Sequence, residues 1–162
     1  MELLRQVVPA TALVVAVDPG KVSNRVLLAS GERGLIGEPV SLPVLPEGVD
    51  TLAGLIAASG VAGTPRIAVE ATGRLHHAWV AELERRWPGS VRLFAPSETQ
   101  AARGQLGWRR SKTDDRDCAA LVWLVRQAQG DQPPPTASIP WWGSPPPAGA
   151  GRRPQGPPTA PP

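Results

Sequence analysis

The sequence predicts an α/β domain built on one mixed five-stranded sheet with flanking helices. Three strand-like segments with short connections come first, which is typical of an antiparallel meander. Amphipathic helix patterns then alternate with short apolar strands, and crossovers of this kind add parallel strands to a sheet. The predicted order is strand, strand, strand, helix, strand, helix, strand, connection, helix.

The first three strands are marked by β-branched runs separated by turns. Residues 13–17 are apolar on both faces, which predicts a central strand buried on each side, and Asp18 stands at its end. A Pro-Gly turn leads to a second strand over 24–30. The third strand, 35–42, contains a proline, so we place it at an edge of the sheet.

Helices and two further strands follow. Residues 46–59 carry helix signals, with a proline at the start and a glycine beyond the end. The strand over 66–70 ends on an acid, as the first strand does. An amphipathic helix is predicted over 75–87 and a fifth strand over 90–95. A polar connection with a short helix over 96–102 leads to the last helix.

The last predicted helix, 111–126, begins with charged residues. Asp114 and Asp117 are three positions apart, so both carboxylates lie on one face, while Asp115 points elsewhere. That face continues toward the core through Ala120, Leu121 and Leu124. Like charges at the edge of a core resist ionisation unless a cation lies between them, and oxygen ligands suit Mg²⁺ or Mn²⁺. The alternative is helix capping, because acids stabilise a first turn and Ser111 with Asp114 fits a capping box.

The predicted topology brings acids together from distant parts of the chain. If the fourth strand runs parallel to the first and beside it, both strands end on the same side of the sheet. Asp18 and Glu70 would then emerge together, and the last helix would carry Asp114 and Asp117 to the same place. Helix capping does not explain such a convergence.

Composition divides the chain into three parts. We expect an N-terminal extension over 1–12, one folded domain over 13–130 and a tail over 131–162. The tail holds 12 of the 20 prolines, and such a composition cannot bury enough apolar surface to fold. An apolar run of five residues near the start is too short to span a membrane, so a cytoplasmic protein without a membrane partner is expected.

A basic cluster precedes the acidic helix. The net charge of +3 implies no basic field over the whole protein, so attraction to nucleic acid must be local. The candidates for contacts with a phosphate backbone are Lys21, Arg103, Arg109, Arg110 and Lys112, with Trp108 available to stack on a base. A solvated basic loop is the alternative.

Cysteine and histidine suggest no further site. The single cysteine, Cys118, excludes an internal disulfide or a multi-cysteine zinc site and is most simply a small buried residue. His76 and His77 are adjacent on the helix after Glu70, where we expect a solvated surface feature.

Three local motifs resemble those of a known family. They are Val-Asp18-Pro-Gly-Lys21 after the first strand, Val-Glu70-Ala-Thr-Gly73 after the fourth, and Ser-Lys112-Thr-Asp114-Asp-Arg-Asp117 at the start of the last helix. The arrangement resembles the ribonuclease-H-like fold of RuvC-type Holliday-junction resolvases. More closely, it is similar to the N-terminal domain of DEDD transposases from one group of bacterial insertion sequences, over residues 13–130.

The resemblance implies a DNA transposition or recombination enzyme. It assigns Asp18, Glu70, Asp114 and Asp117 as a catalytic tetrad of metal ligands that works with Mg²⁺ or Mn²⁺ on a phosphodiester. It also implies mobile-element and target DNA as partners, a guide RNA, and a homo-oligomer in the functional protein. A later domain of the family supplies a serine nucleophile.

The chain departs from the family after residue 130. The family's second domain is expected at this point, but residues 131–162 are rich in proline and glycine, and Ser138 and Ser144 lie in a context that does not match the family serine. We expect the tail to be read out of frame or to belong to a truncated copy. A catalytically inactive nucleic-acid-binding remnant, or a fragment that interferes with a full-length transposase, is therefore the alternative function.

A second alternative is a fragment of an actin-like ATPase or sugar kinase. The sequence from Asp18 to Gly20 also resembles the phosphate loop of those enzymes. They require a second Asp-x-Gly loop and a glycine-rich adenosine segment, and neither appears in this sequence.

Overall fold

A computed structural model describes residues 11–30, 34–107, 114–127 and 130 of the chain. The predicted tail over 131–162 and residues 1–10 of the predicted extension lie outside the described residues. In chain order the elements are β1 (Leu13–Asp18), β2 (Ser23–Ser30), β3 (Gly34–Pro43), α1 (Pro46–Ala58), β4 (Arg66–Glu70), α2 (His77–Arg86), β5 (Val91–Phe94), α3 (Pro96–Gln105) and α4 (Asp114–Arg126).

The five strands form one mixed sheet in the order β3-β2-β1-β4-β5. β1 pairs antiparallel with β2 and parallel with β4, β2 pairs antiparallel with β3, and β4 pairs parallel with β5. The first strand is therefore central and the third lies at an edge, as predicted. This confirms the α/β class and the predicted mixed five-stranded sheet with flanking helices.

Alternate residues of the central strand face two separate cores. Val15 and Val17 pack with α1 and α2 through Val49, Leu52, Trp79 and Leu83. Val14 and Ala16 face the opposite side, where they pack with α3 and α4 through Ala102, Cys118, Leu121 and Leu124. Because both faces are covered, β1 is apolar at every position before Asp18.

Two helices differ from their predicted bounds. The second helix begins at His77 instead of residue 75, and Leu75 is exposed in the turn before it. The third helix extends to Gln105, beyond the predicted end at residue 102. Its first turn is stabilised because the Ala95 amide donates a 2.6 Å hydrogen bond to the Glu98 carboxylate.

The last helix crosses the centre of the sheet. It packs against β1, β2 and β4, and its apolar face is buried as predicted. Cys118 is also buried, which confirms the simple expectation for this residue. Its Sγ donates to the carbonyl oxygen of Arg25, 3.4 Å away, so the first turns of α4 lie beside the end of the β1–β2 pair. Within the described part of the chain, no helix is long and apolar enough to cross a membrane.

Candidate functional site

Asp18 and Glu70 line the same pocket at the carboxyl-terminal ends of β1 and β4. Val17 and Val69 pair across the parallel β1 and β4, so the two acids are the next residues on neighbouring strands. The pocket has a volume of about 220 Å³ and is lined by Asp18, Pro19, Gly20, Ser23, Arg25, Ser41, Glu70 and Thr72. This confirms the predicted convergence of the two strand-end acids.

The turn after Asp18 is held in place by a buried asparagine. The Gly20 amide donates to Asn24 Oδ1 at 3.2 Å, and Asn24 is only 1% exposed. A Cβ atom at position 20 would lie 2.2 Å from the carbonyl oxygen of Ser23, which no real Cβ contact allows. Glycine is therefore required here, and the turn keeps Asp18 at the wall of the pocket.

The Glu70 carboxylate is oriented by its own loop. Thr72 Oγ1 donates to Glu70 Oε1 at 2.9 Å, and the Ala71 amide donates to the carbonyl oxygen of Phe94 on the next strand at 2.8 Å. The residue after Thr72 is Gly73, whose φ of 54° lies in the left-handed region that favours glycine. The Glu-Ala-Thr-Gly motif thus fixes one carboxylate and turns the chain away from the site.

Arg25 is a site residue that the sequence reasoning missed. It pairs with Asp18 across the antiparallel β1 and β2 and lines the pocket with both acids. Its Nε donates to Asp115 Oδ1 at 2.7 Å, and its Nη1 donates to Ser41 Oγ at 3.1 Å. The available signal was a single charged residue within an otherwise neutral strand, but only the hairpin register places it opposite Asp18.

Asp117 is buried beside this edge and forms an ion pair with Arg103 of α3. Arg103 Nη1 and Asp117 Oδ1 lie 2.7 Å apart, and the two side chains are 14% and 4% exposed. Asp117 faces inward and Asp115 is about half exposed, as the predicted helix face requires.

Acids of β1 and α4 lie near the buried thiol of Cys118 and raise its pKa. Burial is the main cause that raises the pKa of the Cys118 thiol well above its ordinary range, and the negative charges of Asp18, Asp115 and Asp117 raise it further. These three carboxylates therefore lie within electrostatic range of one buried atom. This places the first turn of α4 close to the end of β1.

Two of the four predicted metal ligands line one pocket. Asp18 and Glu70 offer carboxylate oxygens in one pocket that also contains hydroxyl groups, which is a donor set that suits a hard cation. Asp114 begins α4, but its side chain lies outside the described residues. Within the residues described, no group of three or more His, Cys, Asp or Glu side chains is arranged to hold a metal ion.

The predicted nucleic-acid contacts are described in part. Lys21 is exposed at the tip of the turn that follows Asp18. Arg103 is largely buried in its ion pair with Asp117 instead of extending into solvent. The remaining candidates lie outside the described residues, namely Trp108, Arg109, Arg110 and Lys112.

His76 differs from the expected solvated surface residue. It is only 6% exposed, and its ring makes an edge contact with the His77 ring at 4.4 Å between centroids. Burial is the main cause that lowers the pKa of His76, with the neighbouring charge of His77 as a second cause. The prediction was wrong for His76 because this residue is the N-cap of α2 and is buried there, whereas His77 is exposed as expected.

Comparisons with solved structures found several similar chains, and two of them are named below. No family model matches the sequence, and no curated protein matches it. RuvC of T. thermophilus, solved in complex with a Holliday junction substrate, is similar with a TM-score of 0.46 and 15% identity over 72% of this chain and 94% of that chain. An Aquifex aeolicus member of the Ppx/GppA family is similar with a TM-score of 0.35 and 10% identity, over 56% of this chain and 37% of that chain.

Proposed function

We propose that this chain cleaves DNA phosphodiesters with the help of a divalent cation and serves DNA transposition or recombination. The observation that carries the proposal is the shared pocket of Asp18 and Glu70, which come from strands more than fifty residues apart in sequence. Two partly buried carboxylates in one polar pocket repel each other, so they favour a bound cation.

Asp18 and Glu70 would hold the cation, and Asp114 and Asp117 are the remaining proposed ligands. When bound, Mg²⁺ would supply Lewis-acid stabilisation of the attacking and departing oxygens at a phosphodiester. The protein's own part is to hold its carboxylates in place. The hydrogen bond from Thr72 orients Glu70, and the turn fixed by Asn24 holds the chain beside Asp18.

A DNA substrate agrees with the chemistry at the mouth of the pocket. Lys21 lies three residues after Asp18 and is exposed, where it can contact a phosphate. Hydroxyl groups of Ser23 and Ser41 line the wall and can donate to phosphate oxygens, whereas the Thr72 hydroxyl already donates to Glu70. Transposition is the process proposed because the three local motifs resemble those of DEDD transposases.

The test is a strand-cleavage assay on the full chain. Synthetic four-way junctions and duplex DNA, each labelled at one 5′ end, are incubated with Mg²⁺ and resolved on a denaturing gel. We expect Mg²⁺-dependent nicking by the wild-type protein and its loss in Asp18→Asn and Glu70→Gln. Asp50→Asn is the matched control, because this exposed acid pairs with Arg86 on the opposite face of the sheet. Equal nicking by wild type and Asp18→Asn would refute the proposal.

A second candidate is a protein that binds nucleic acid without cleaving it. The ion pair with Arg103 favours this candidate, because it already compensates the charge of Asp117. The same assay separates the two functions. Binding of labelled DNA together with an absence of nicking at any Mg²⁺ or Mn²⁺ concentration would support the second.

A further inference from the structure

We propose that Arg25 is the phosphate-binding residue of this pocket and holds a non-bridging oxygen of the scissile or adjacent phosphate. The inference deepens the proposed function and rests on it. Arg25 is a binding and positioning residue in this proposal, and it takes no proton from the substrate.

A phosphodiester that approaches Asp18 and Glu70 meets two negative charges, and a divalent cation is the first requirement for compensating them. Among the described residues that line the pocket, Arg25 carries the only positive side chain. It therefore supplies the fixed positive charge that a phosphate needs in addition to the cation.

The Arg25 guanidinium is held by side chains from two other elements of the fold. Asp115 on α4 accepts from its Nε, and Ser41 on β3 accepts from its Nη1, so side chains from two other elements fix the guanidinium. Its side chain is 28% exposed, which leaves it accessible from the pocket. A planar guanidinium held in this way is pre-organised for two parallel hydrogen bonds to one phosphate.

The ion pair of Arg25 with Asp115 lies at the surface of the protein. Asp115 is 52% exposed and does not line the pocket, so this pair is a surface ion pair, which contributes little to stability. If Arg25 served only to link α4 to the sheet, removing either member of the pair would have the same effect. If Arg25 binds phosphate, Asp115→Asn removes only the competing negative charge, because the amide oxygen can still accept from Arg25 Nε and Ser41 still accepts from Nη1.

This contrast defines the experiment. Binding of the full chain to a fluorescein-labelled synthetic duplex is measured by anisotropy over a range of NaCl concentrations. Ca²⁺ replaces Mg²⁺, because its looser coordination disfavours the cleavage chemistry. The variants are Arg25→Ala, Arg25→Lys and Asp115→Asn, and Mn²⁺ binding by each is followed by calorimetry.

We expect Arg25→Ala to weaken DNA binding by about tenfold. The negative slope of log K against log salt should also become shallower by about 0.9, as for one lost phosphate contact. Arg25→Lys keeps the charge and the slope but loses affinity several-fold, because an ammonium lacks the planar fork. Asp115→Asn should keep both affinity and slope. Mn²⁺ should bind Arg25→Ala at least as tightly as wild type, since a positive charge next to the carboxylates has been removed.

Two outcomes overturn the inference while the proposed function stands. In the first outcome the wild type binds DNA and Mn²⁺, and Arg25→Ala has the same DNA affinity and the same salt dependence as the wild type. The other is an equal loss in Arg25→Ala and Asp115→Asn, which would make Arg25 a structural link. If Arg25→Ala does not fold, Arg25→Lys decides, and affinity equal to that of Asp115→Asn refutes the inference. A wild type that binds neither DNA nor Mn²⁺ refutes the proposed function, and this inference with it.

Discussion

Replacing Arg103 by methionine should destabilise the protein strongly in the absence of divalent cations and much less in their presence. Arg103 and Asp117 form an ion pair in which the aspartate is almost fully buried. Methionine preserves much of the apolar stem of arginine but removes the positive charge that lies 2.7 Å from the Asp117 carboxylate. The variant therefore isolates the electrostatic role of Arg103.

The expected magnitude follows from burial. Removing one member of a buried ion pair costs about 3–5 kcal/mol. Because Arg103 keeps 14% of its side chain exposed, water reduces the effect, and we take about 3 kcal/mol. For a domain of this size, that corresponds to a decrease of about 10 °C in Tm.

The assay is thermal unfolding in EDTA and in Mg²⁺. If Asp117 is a metal ligand, the cation supplies the missing positive charge and should restore about 2.7 kcal/mol at 100 times its Kd. The double variant Arg103→Met/Asp117→Leu should be close to wild type in EDTA, because no buried charge remains. Arg85→Met, at an exposed ion pair on α2, is the matched control and should leave Tm unchanged. Wild-type stability of Arg103→Met in EDTA would refute the energetic argument, and a loss that Mg²⁺ does not reverse would contradict Asp117 as a ligand.

Three further predictions test the fold and its buried groups. Gly48→Ala should lower Tm by several degrees, because the new Cβ atom would lie 2.0 Å from the carbonyl oxygen of Pro43. Its control in the same helix is Gly54→Ala, whose Cβ atom meets nothing within 4 Å and should stabilise the protein by up to about 1 kcal/mol. The lowered pKa of His76 means that its stabilising effect is complete above the unfolded pKa of about 6.5 and is lost as pH falls through the folded value. His76→Leu should therefore show a smaller loss of urea stability than wild type between pH 7.5 and 5.5, and an equal loss would contradict this. The raised pKa of Cys118 predicts slow reaction with a thiol reagent in buffer and fast reaction in urea, and fast labelling of the folded protein would contradict its burial.

The order of elements could be predicted from sequence because each pattern depends on local chemistry. The apolar run of β1 requires cover on both faces, and the prolines and glycines mark where helices and turns begin or end. The meeting of Asp18 with Glu70 then follows from topology, since parallel neighbours end at the same edge. Short connections left little freedom in how the strands pair.

The remaining features depend on tertiary register and could not be derived from local patterns. Arg25 enters the pocket only because the hairpin pairs it with Asp18, and the polar turn alone does not set that register. The ion pair of Arg103 with Asp117 depends on how α3 packs against α4, so a residue predicted to contact a phosphate backbone is instead largely buried. His76 was misjudged for a similar reason, because the helix start determines which of two adjacent histidines faces inward.

The most direct measurement is a crystal structure of the protein soaked in Mn²⁺, with data collected at the manganese absorption edge. The account predicts an anomalous peak in the pocket, within coordination distance of the Asp18 and Glu70 carboxylates, which is lost in Asp18→Asn crystals. A pocket without such a peak at millimolar Mn²⁺, or an equal peak in Asp18→Asn, would contradict it.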